Sequence, residues 1–400
     1  MMGYSPIRML FPVPRLLTNP DLFAGPRGLM ALKGIGSSRT LLLTGRSLRQ
    51  NLRGEIKKML AAESVVAVER PGMGDPDWDQ VTSILSVLAG DVPDLIVAAG
   101  GGAVLDLAKL VLLRLAWPES DPVKDEARMS RPFAVPPLKN RTRMCAIPTT
   151  AGSGAEVSSA ALVMNGAAGS KSAIITHDFI YDMVVLDPRF LLDIPRSVMM
   201  SGVIDAMTHA VEGTISNVDN PLADALAETA LERLGRLGRQ WLGDEGDMTT
   251  ILQLQYAAHM AGMVQNHCGV GICHSLAHQL ARFGVGHGEA NGVFLAPVLA
   301  LNREEEKVAR RLDHMESLAG FSIGERVAEF QQAGGLARDF EALVAGNRLG
   351  GSVWNAEALA EDAWVDVCTR FNPRSVDARQ LQSFYPVSRL NRWMTVRSEP

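Results

Sequence analysis

The sequence predicts an α/β domain over residues 1–187 followed by an all-helical domain over residues 188–400. Three observations carry this. Short apolar runs bounded by glycine and proline alternate with helical spacings up to Asp187-Pro188. Beyond that point the apolar residues recur only at helical spacing. A length of 400 residues, 47% of them apolar, suits two domains with sizeable cores.

Residues 1–38 read as an irregular lead-in with one short strand near Met9. Gly34-Ile35-Gly36 precedes a strand, whereas a dinucleotide fingerprint must follow one, so it reads as a turn. Strands are expected at 40–44, 64–68, 94–99, 144–148 and 183–186, with helices at 48–62, up to Gly90, and at 104–115. Residues 116–142 read as an excursion rich in charge and proline. The helical half is expected to hold helices at 222–237, 249–263, 293–301, 304–318 and 356–369. Met199, Met200, Met207, Met260 and Met263 read as core filler.

Composition excludes several classes. A net charge of −5 with mixed signs and no basic, aromatic-interleaved patch argues against nucleic acid. No apolar run is long enough for a membrane span or signal peptide; Lys109 and Arg114 interrupt the one near Leu110. The four cysteines have no Cys-x-x-Cys spacing, which fits a reducing, cytoplasmic compartment.

Six of the eight histidines fall between His209 and His287. Asp205 and His209 are four apart in a proline-free segment, so on a helix they share one face. His274 and His278 repeat that spacing on a second helix, and His287 follows in a glycine-rich turn. A lone pair of this kind usually just supports a helix surface. Two pairs and a further histidine in apolar surroundings point to a divalent transition metal, with His274 and His278 equivalent by spacing alone. The other histidines, His177, His259, His267 and His314, read as structural.

A second signal lies in the first half. Gly100-Gly101-Gly102 ends a buried strand and opens a helix, where bare backbone N–H groups accept a phosphate. Thr149-Thr150-Ala151-Gly152-Ser153-Gly154 follows a later strand with small hydroxyl donors. The first reads as a phosphate or pyrophosphate site against the alternative of a tight turn, and the second as a set of cofactor donors against the alternative of a solvated loop.

At this point the residues resemble a known family, the iron-dependent (group III) alcohol dehydrogenases, over roughly residues 35–375. GGGAVLDLAK (100–109) is similar to the family's GGGSxxDxxK, IPTTAGSGAEV (147–157) to its second cofactor motif, and Asn372-Pro373-Arg374 to its closing NPR. Gly202–Gly213 and Gly271–Asn291 resemble its two metal-bearing signatures. The resemblance implies a dehydroquinate synthase-like fold with the active site between the domains. It implies Asp205, His209, His274 and His287 as metal ligands, for Fe(II) or alternatively Zn, Ni or Co, and moves His278 from ligand to proton relay beside the metal. It further implies Gly45, Arg46, Ser47, Asp75, Gly101, Gly102, Ala103, Asp106, Thr149, Thr150, Ser153 and Lys171 as the cofactor set.

The chain departs from the family pattern at three places. Ala103 stands for serine, Gly286 for proline, and the loop from His278 to His287 is one residue short. Gly45 stands where many NAD-using members carry an aspartate, and Arg46 follows it, which favours NADP(H) over NAD(H). The expected substrate is a small alcohol or aldehyde; Arg282, if it faces the cleft, favours an anionic aldehyde bearing carboxylate or phosphonate, and otherwise reads as a solvated helix residue. A homo-oligomer, dimer or larger, is expected. The competing readings are a polyol dehydrogenase of the same fold and a catalytically silent metal- or nucleotide-binding protein.

Overall fold

The computed structural model describes residues 19–60, 62–72, 74–119, 135–138, 141–165, 170–346 and 355–385. The strand expected near Met9 and most of the 116–142 excursion lie outside these residues.

The first half is built on a six-stranded parallel sheet. Its strands are β1 (Asp21–Ala24), β2 (Arg39–Thr44), β3 (Ser64–Glu69), β4 (Leu95–Gly100), β5 (Arg143–Pro148) and, after a hairpin, β8 (Met183–Leu186), in the order β1-β8-β5-β4-β2-β3. The hairpin, β6 (Ala160–Asn165) and β7 (Ser170–Ile175), is antiparallel and separate from the sheet. All six residues of β4 are buried, as expected of a central parallel strand covered on both faces. Edge strand β3 has only exposed and half-buried residues instead.

Helices α1 (Gln50–Met59), α2 (Trp78–Leu88) and α3 (Gly102–Ala116) complete the α/β half. The Asp77 carboxylate accepts the Gln80 N–H and caps α2. Residues Val104–Leu113 of α3 are buried without interruption, so it is a core helix. Its buried Lys109 donates to Asp106 and to the Ala160 carbonyl, and Asp106 accepts the Leu162 N–H. Those bonds fasten β6 onto α3.

Among the described residues beyond the Pro188–Phe190 turn, every regular element is helical. These are α4 (Arg196–Ile215), α5 (Pro221–Gly243), α6 (Met248–Cys268), α7 (Ile272–Leu280), α8 (His287–Asn302), α9 (Glu306–Ala319), α10 (Ile323–Gly334), α11 (Phe340–Gly346), α12 (Ala356–Val365) and α13 (Ala378–Gln382). Helix α4 is buried continuously from Val203 to Ile215 and packs against α5, α6, α8 and α10. The chain therefore has the α/β plus all-α architecture its sequence predicts. The differences are mostly additions: β1, the β6–β7 hairpin, α10, α11 and α13. Helix α8 also begins earlier than expected, at His287, which places that residue on a helix rather than in the preceding turn.

Two close backbone approaches join the halves. A Cβ on Gly152 would come within 2.7 Å of the Gly202 Cα on α4, and one on Gly154 within 2.4 Å of the Gly262 Cα on α6. Gly154 also has φ +60, a conformation that L side chains rarely adopt. The loop after β5 thus lies directly against two helices because four glycines carry no side chain there.

Candidate metal centre and cofactor cleft

Asp205 and His209 sit one turn apart on α4, where surrounding apolar residues bury the helix on every side. His274 lies in the first turn of α7 and His287 opens α8. The three imidazole Nε2 atoms surround one carboxylate oxygen. Asp205 Oδ1 is 3.7 Å from His209, 3.7 Å from His274 and 3.5 Å from His287. Asn291, one turn along α8 from His287, donates its side-chain N–H to the same oxygen at 2.8 Å.

Burial opposes a charge on Asp205, but the surrounding imidazoles outweigh it and hold the carboxyl below the usual carboxylate range. Burial pushes His209 down to about 4 and His287 well below the ordinary histidine value. Burial also works against His274, yet Asp205 and Glu212 together take it up to about 9. The centre thus combines an anionic oxygen, two neutral imidazoles and a second ring proton on His274. Anionic carboxylate and neutral imidazole are the ligand forms a divalent transition metal takes, and a cation would displace that proton. The nitrogens stand farther from Oδ1 than an ordinary hydrogen bond, and His209 Nδ1 is buried without a hydrogen-bond partner among the described residues. By donor chemistry the site fits a metal.

His274 is held from behind. The buried Glu212 carboxylate lies 2.7 Å from its Nδ1 and accepts the Cys273 N–H at 2.8 Å. This is the carboxylate–histidine arrangement that orients metal-binding imidazoles. His278, one turn along α7, is held the same way by a different acid: its Nδ1 is 2.9 Å from Asp366 Oδ2. Its ring stacks on His287 with centroids 5.2 Å apart.

A cleft of ≈ 530 Å³ opens at the carboxyl ends of β2, β4 and β5. Ligands of open parallel sheets bind at such ends. Of the expected cofactor residues, Gly45, Arg46, Ser47, Gly101, Gly102, Ala103, Thr149 and Thr150 line it. The helical half closes the other wall with Ile194, Pro195 and Val198. From Val198 to Asp205 is seven residues of α4, or about 10 Å of helix rise.

The remaining four expected residues stand outside the lining. Ser153 covers Gly102, its Oγ 2.8 Å from where a Cβ on that glycine would lie. Asp75 pairs with the buried Lys171 Nζ at 3.0 Å. Asp106 spends both carboxylate oxygens on Lys109 and Leu162. Arg282 is likewise engaged, donating to Asp362 at 2.8 Å and Gln279 at 3.0 Å.

Sequence reasoning missed several residues. Arg49 and Arg70 join Arg46 in lining the cleft. Arg70 is buried against Gln80 at 2.9 Å, and Arg46 donates to the Pro71 carbonyl at 2.8 Å. Glu212 and Asn291 carried a local signal, since a helix places each on the face of His209 or His287. Asp366 carried none, being 88 residues from its partner.

Comparison with known proteins gives the family and the fold. Residues 29–188 match the family model described as iron-containing alcohol dehydrogenase, and residues 199–388 match the Fe-containing alcohol dehydrogenase family, C-terminal. An alcohol dehydrogenase of Thermococcus barophilus is 28% identical over 375 residues, covering 90% of this chain and 95% of that one. An NADPH-dependent butanol dehydrogenase of Clostridium saccharobutylicum is 27% identical, covering 94% and 97%. The solved iron-containing alcohol dehydrogenase from Thermococcus thioreducens superposes with a TM-score of 0.79 at 27% identity, covering 96% of this chain and 100% of that one.

Proposed function

We propose a metal-dependent hydride transfer for this chain, which belongs to the iron-containing alcohol dehydrogenase family: it interconverts a small alcohol and its aldehyde with a nicotinamide dinucleotide. The observation that carries the reading is the convergence of three imidazoles on the single oxygen Asp205 Oδ1. Asp205, His209, His274 and His287 hold the metal, iron first and zinc, nickel or cobalt as substitutes. When bound, the metal supplies Lewis acidity toward the substrate oxygen, and the nicotinamide supplies the hydride acceptor or donor.

The chain's own residues do the rest. Gly101, Gly102 and Ala103 admit the pyrophosphate to the α3 N-terminus, and Thr149 and Thr150 face it from the β5 loop. Gly45 leaves no carboxylate at the end of β2, and Arg46, Arg49 and Arg70 place three cations along the cleft, which favours the 2′-phosphate of NADP(H). Asp75, Asp106, Ser153 and Lys171 support that cleft from outside its lining. Glu212 keeps His274 turned toward Asp205. His278 takes the alcohol proton at Nε2 during oxidation and returns it during reduction. Arg282 selects an anionic aldehyde only by exchanging Asp362 for the substrate.

Residues 1–187 form the cofactor domain and 188–400 the metal domain of a cytoplasmic homo-oligomer. Among the described residues, no helix is long and apolar enough to cross a membrane.

The test is metal analysis of anaerobically purified protein beside NADPH and NADH oxidation with small neutral and anionic aldehydes. About one metal per chain and a lower KM for NADPH are expected, with both metal and turnover lost in Asp205→Ala. Protein that binds no metal after addition of Fe(II), Zn(II) or Ni(II) overturns the metal assignment. A strong NADH preference overturns the NADP(H) assignment.

A further inference from the structure

Two histidines on α7 are gripped at Nδ1 by carboxylates from different parts of the chain. For His274 the carboxylate is Glu212 on α4. For His278 it is Asp366, in the bend between α12 and the short turn Val367–Phe371. We infer that Asp366 is a positioning residue for the proton transfer, fixing the His278 imidazole with its proton on Nδ1 and its lone pair on Nε2. The inference rests on the alcohol dehydrogenase reading above and adds to it the residue that makes His278 competent.

The geometry is specific. Asp366 Oδ2 lies 2.9 Å from His278 Nδ1, and Oδ1 accepts the Cys368 N–H at 2.9 Å, capping the Val367–Phe371 turn. That bond fixes the carboxylate plane before His278 meets it. The same turn is docked on α7 a second time, because Thr369 Oγ1 donates to Ser275 Oγ at 2.8 Å. Both side chains of the dyad are nearly enclosed, with 11% and 12% of their surface exposed, so water competes little for the bond. Stacking on His287 holds the ring plane. A neutral imidazole carries one proton, and a carboxylate at Nδ1 binds only the form that has it there. Nε2 is then the free acceptor. When it takes the alcohol proton, the imidazolium charge forms against a carboxylate already in place, with little solvent to reorganise.

The alternative for this group of side chains is ligation. His278, Asp366 and Cys368 offer donor atoms within 4.8 Å of one another, which a second cation would fit. The burial of Cys368 and the nearness of Asp366 push its thiol well above its ordinary value, so a second cation would have to displace a tightly held proton.

The discriminating variant is Asp366→Asn, which keeps the size and still caps the turn. Asparagine can instead donate to Nδ1 and so stabilises the wrong tautomer. Expected are unchanged metal content, a Tm close to wild type, KM within about threefold, and kcat down ~100-fold. Asp366→Asn/His278→Ala is then no slower than His278→Ala alone. The readout independent of turnover is the side-chain 15N spectrum of the zinc-loaded protein. His278, assigned by the His278→Ala variant, shows a protonated Nδ1 and bare Nε2 in wild type and loses that pattern in Asp366→Asn.

An unchanged His278 spectrum, or kcat within threefold of wild type, overturns the inference. So does a second zinc per chain that Asp366→Asn removes, since Asp366 would then be a ligand. If wild type turns over no alcohol or aldehyde, the functional reading fails by itself, and the His278 spectrum still decides the role of Asp366.

Discussion

Gly262→Ala tests whether the glycine contacts between the halves set the cofactor cleft. Gly262 lies in α6, where alanine would by itself favour the helix by about 1 kcal/mol. The added Cβ would stand 2.6 Å from the Gly154 Cα, 2.9 Å from Val157 Cγ2 and 3.2 Å from the Gly154 carbonyl oxygen. Two of those three atoms are backbone, so no rotamer change relieves them. The loop must withdraw by about 1 Å, and overpacking of this kind costs about 1–3 kcal/mol. Gly154 is held at φ +60, which leaves the loop few conformations to withdraw into. The net expectation is a loss of about 1–2 kcal/mol, or a Tm lower by about 2–5 °C. Thr149 and Thr150 sit on that loop and line the cleft, so NADPH affinity should fall about tenfold, read by fluorescence titration. Gly54→Ala is the control. Gly54 lies inside α1 with nothing within 4 Å of the added Cβ, so it should gain about 0.5–1 kcal/mol and leave affinity unchanged. A Gly262→Ala protein as stable as wild type with unaltered NADPH affinity would refute the reasoning.

Two further outcomes follow from buried or bonded ionisable groups. Asp94 accepts the Ser37 hydroxyl at 2.5 Å and the Ser38 and Arg39 N–H groups at 2.9 and 3.2 Å; slight burial works against ionisation, but these bonds hold its carboxyl below the ordinary 3.8. A depressed folded value means the stabilisation is complete above 3.8 and is lost as pH falls through the lower folded value. Asp94→Ala should therefore lower the Tm by a constant amount between pH 5 and 8, with the gap to wild type narrowing in stronger acid; a gap that widens there contradicts the assignment. All four thiols are buried, and burial pushes Cys145 and Cys268 up to about 12, so none should react with a disulfide reagent at pH 8 in the native state while four react in guanidinium. Rapid labelling of even one native thiol would show that the half holding it opens more readily than its packing implies.

Much of the architecture is legible in the sequence because buried parallel strands are nearly continuous apolar runs. Leu41–Thr44, Leu95–Ala99 and Met144–Ile147 stand out between glycines, prolines and charges. β1 does not, because an edge strand of four residues with Asp21, Leu22 and Phe23 exposed has neither a buried run nor an alternation. The hairpin escapes for a related reason: β6 packs on α3 through bonds from Lys109 and Asp106, contacts made more than fifty residues away. α10 was missed although it carried a start signal, Ser322-x-x-Glu325, the spacing of a capping box. In the cleft, the glycine and threonine motifs mark backbone that must be bare or hydroxylated. The arginines beside them carry no such marker, since Arg49 and Arg70 look like any surface cation until the fold brings them to one opening.

The hardest distinction is between His274 and His278, and helix geometry explains why. Four residues make slightly more than one turn, so both imidazoles leave α7 on one face with the same stem and chemistry. Spacing therefore reports a shared face and nothing about what each ring meets. The structure separates them by what stands at the two ends of each ring. His274 has Glu212 behind Nδ1 and Asp205 before Nε2, so it lies between two acids and adds its nitrogen to the others around Oδ1. Among the described residues, His278 has an acid only behind Nδ1, and its ring is stacked against His287 rather than aimed with it at Asp205. An imidazole anchored on one side and uncommitted on the other is suited to moving a proton. The difference comes from α4 and from the turn after α12, at sequence separations of 62 and 88 residues.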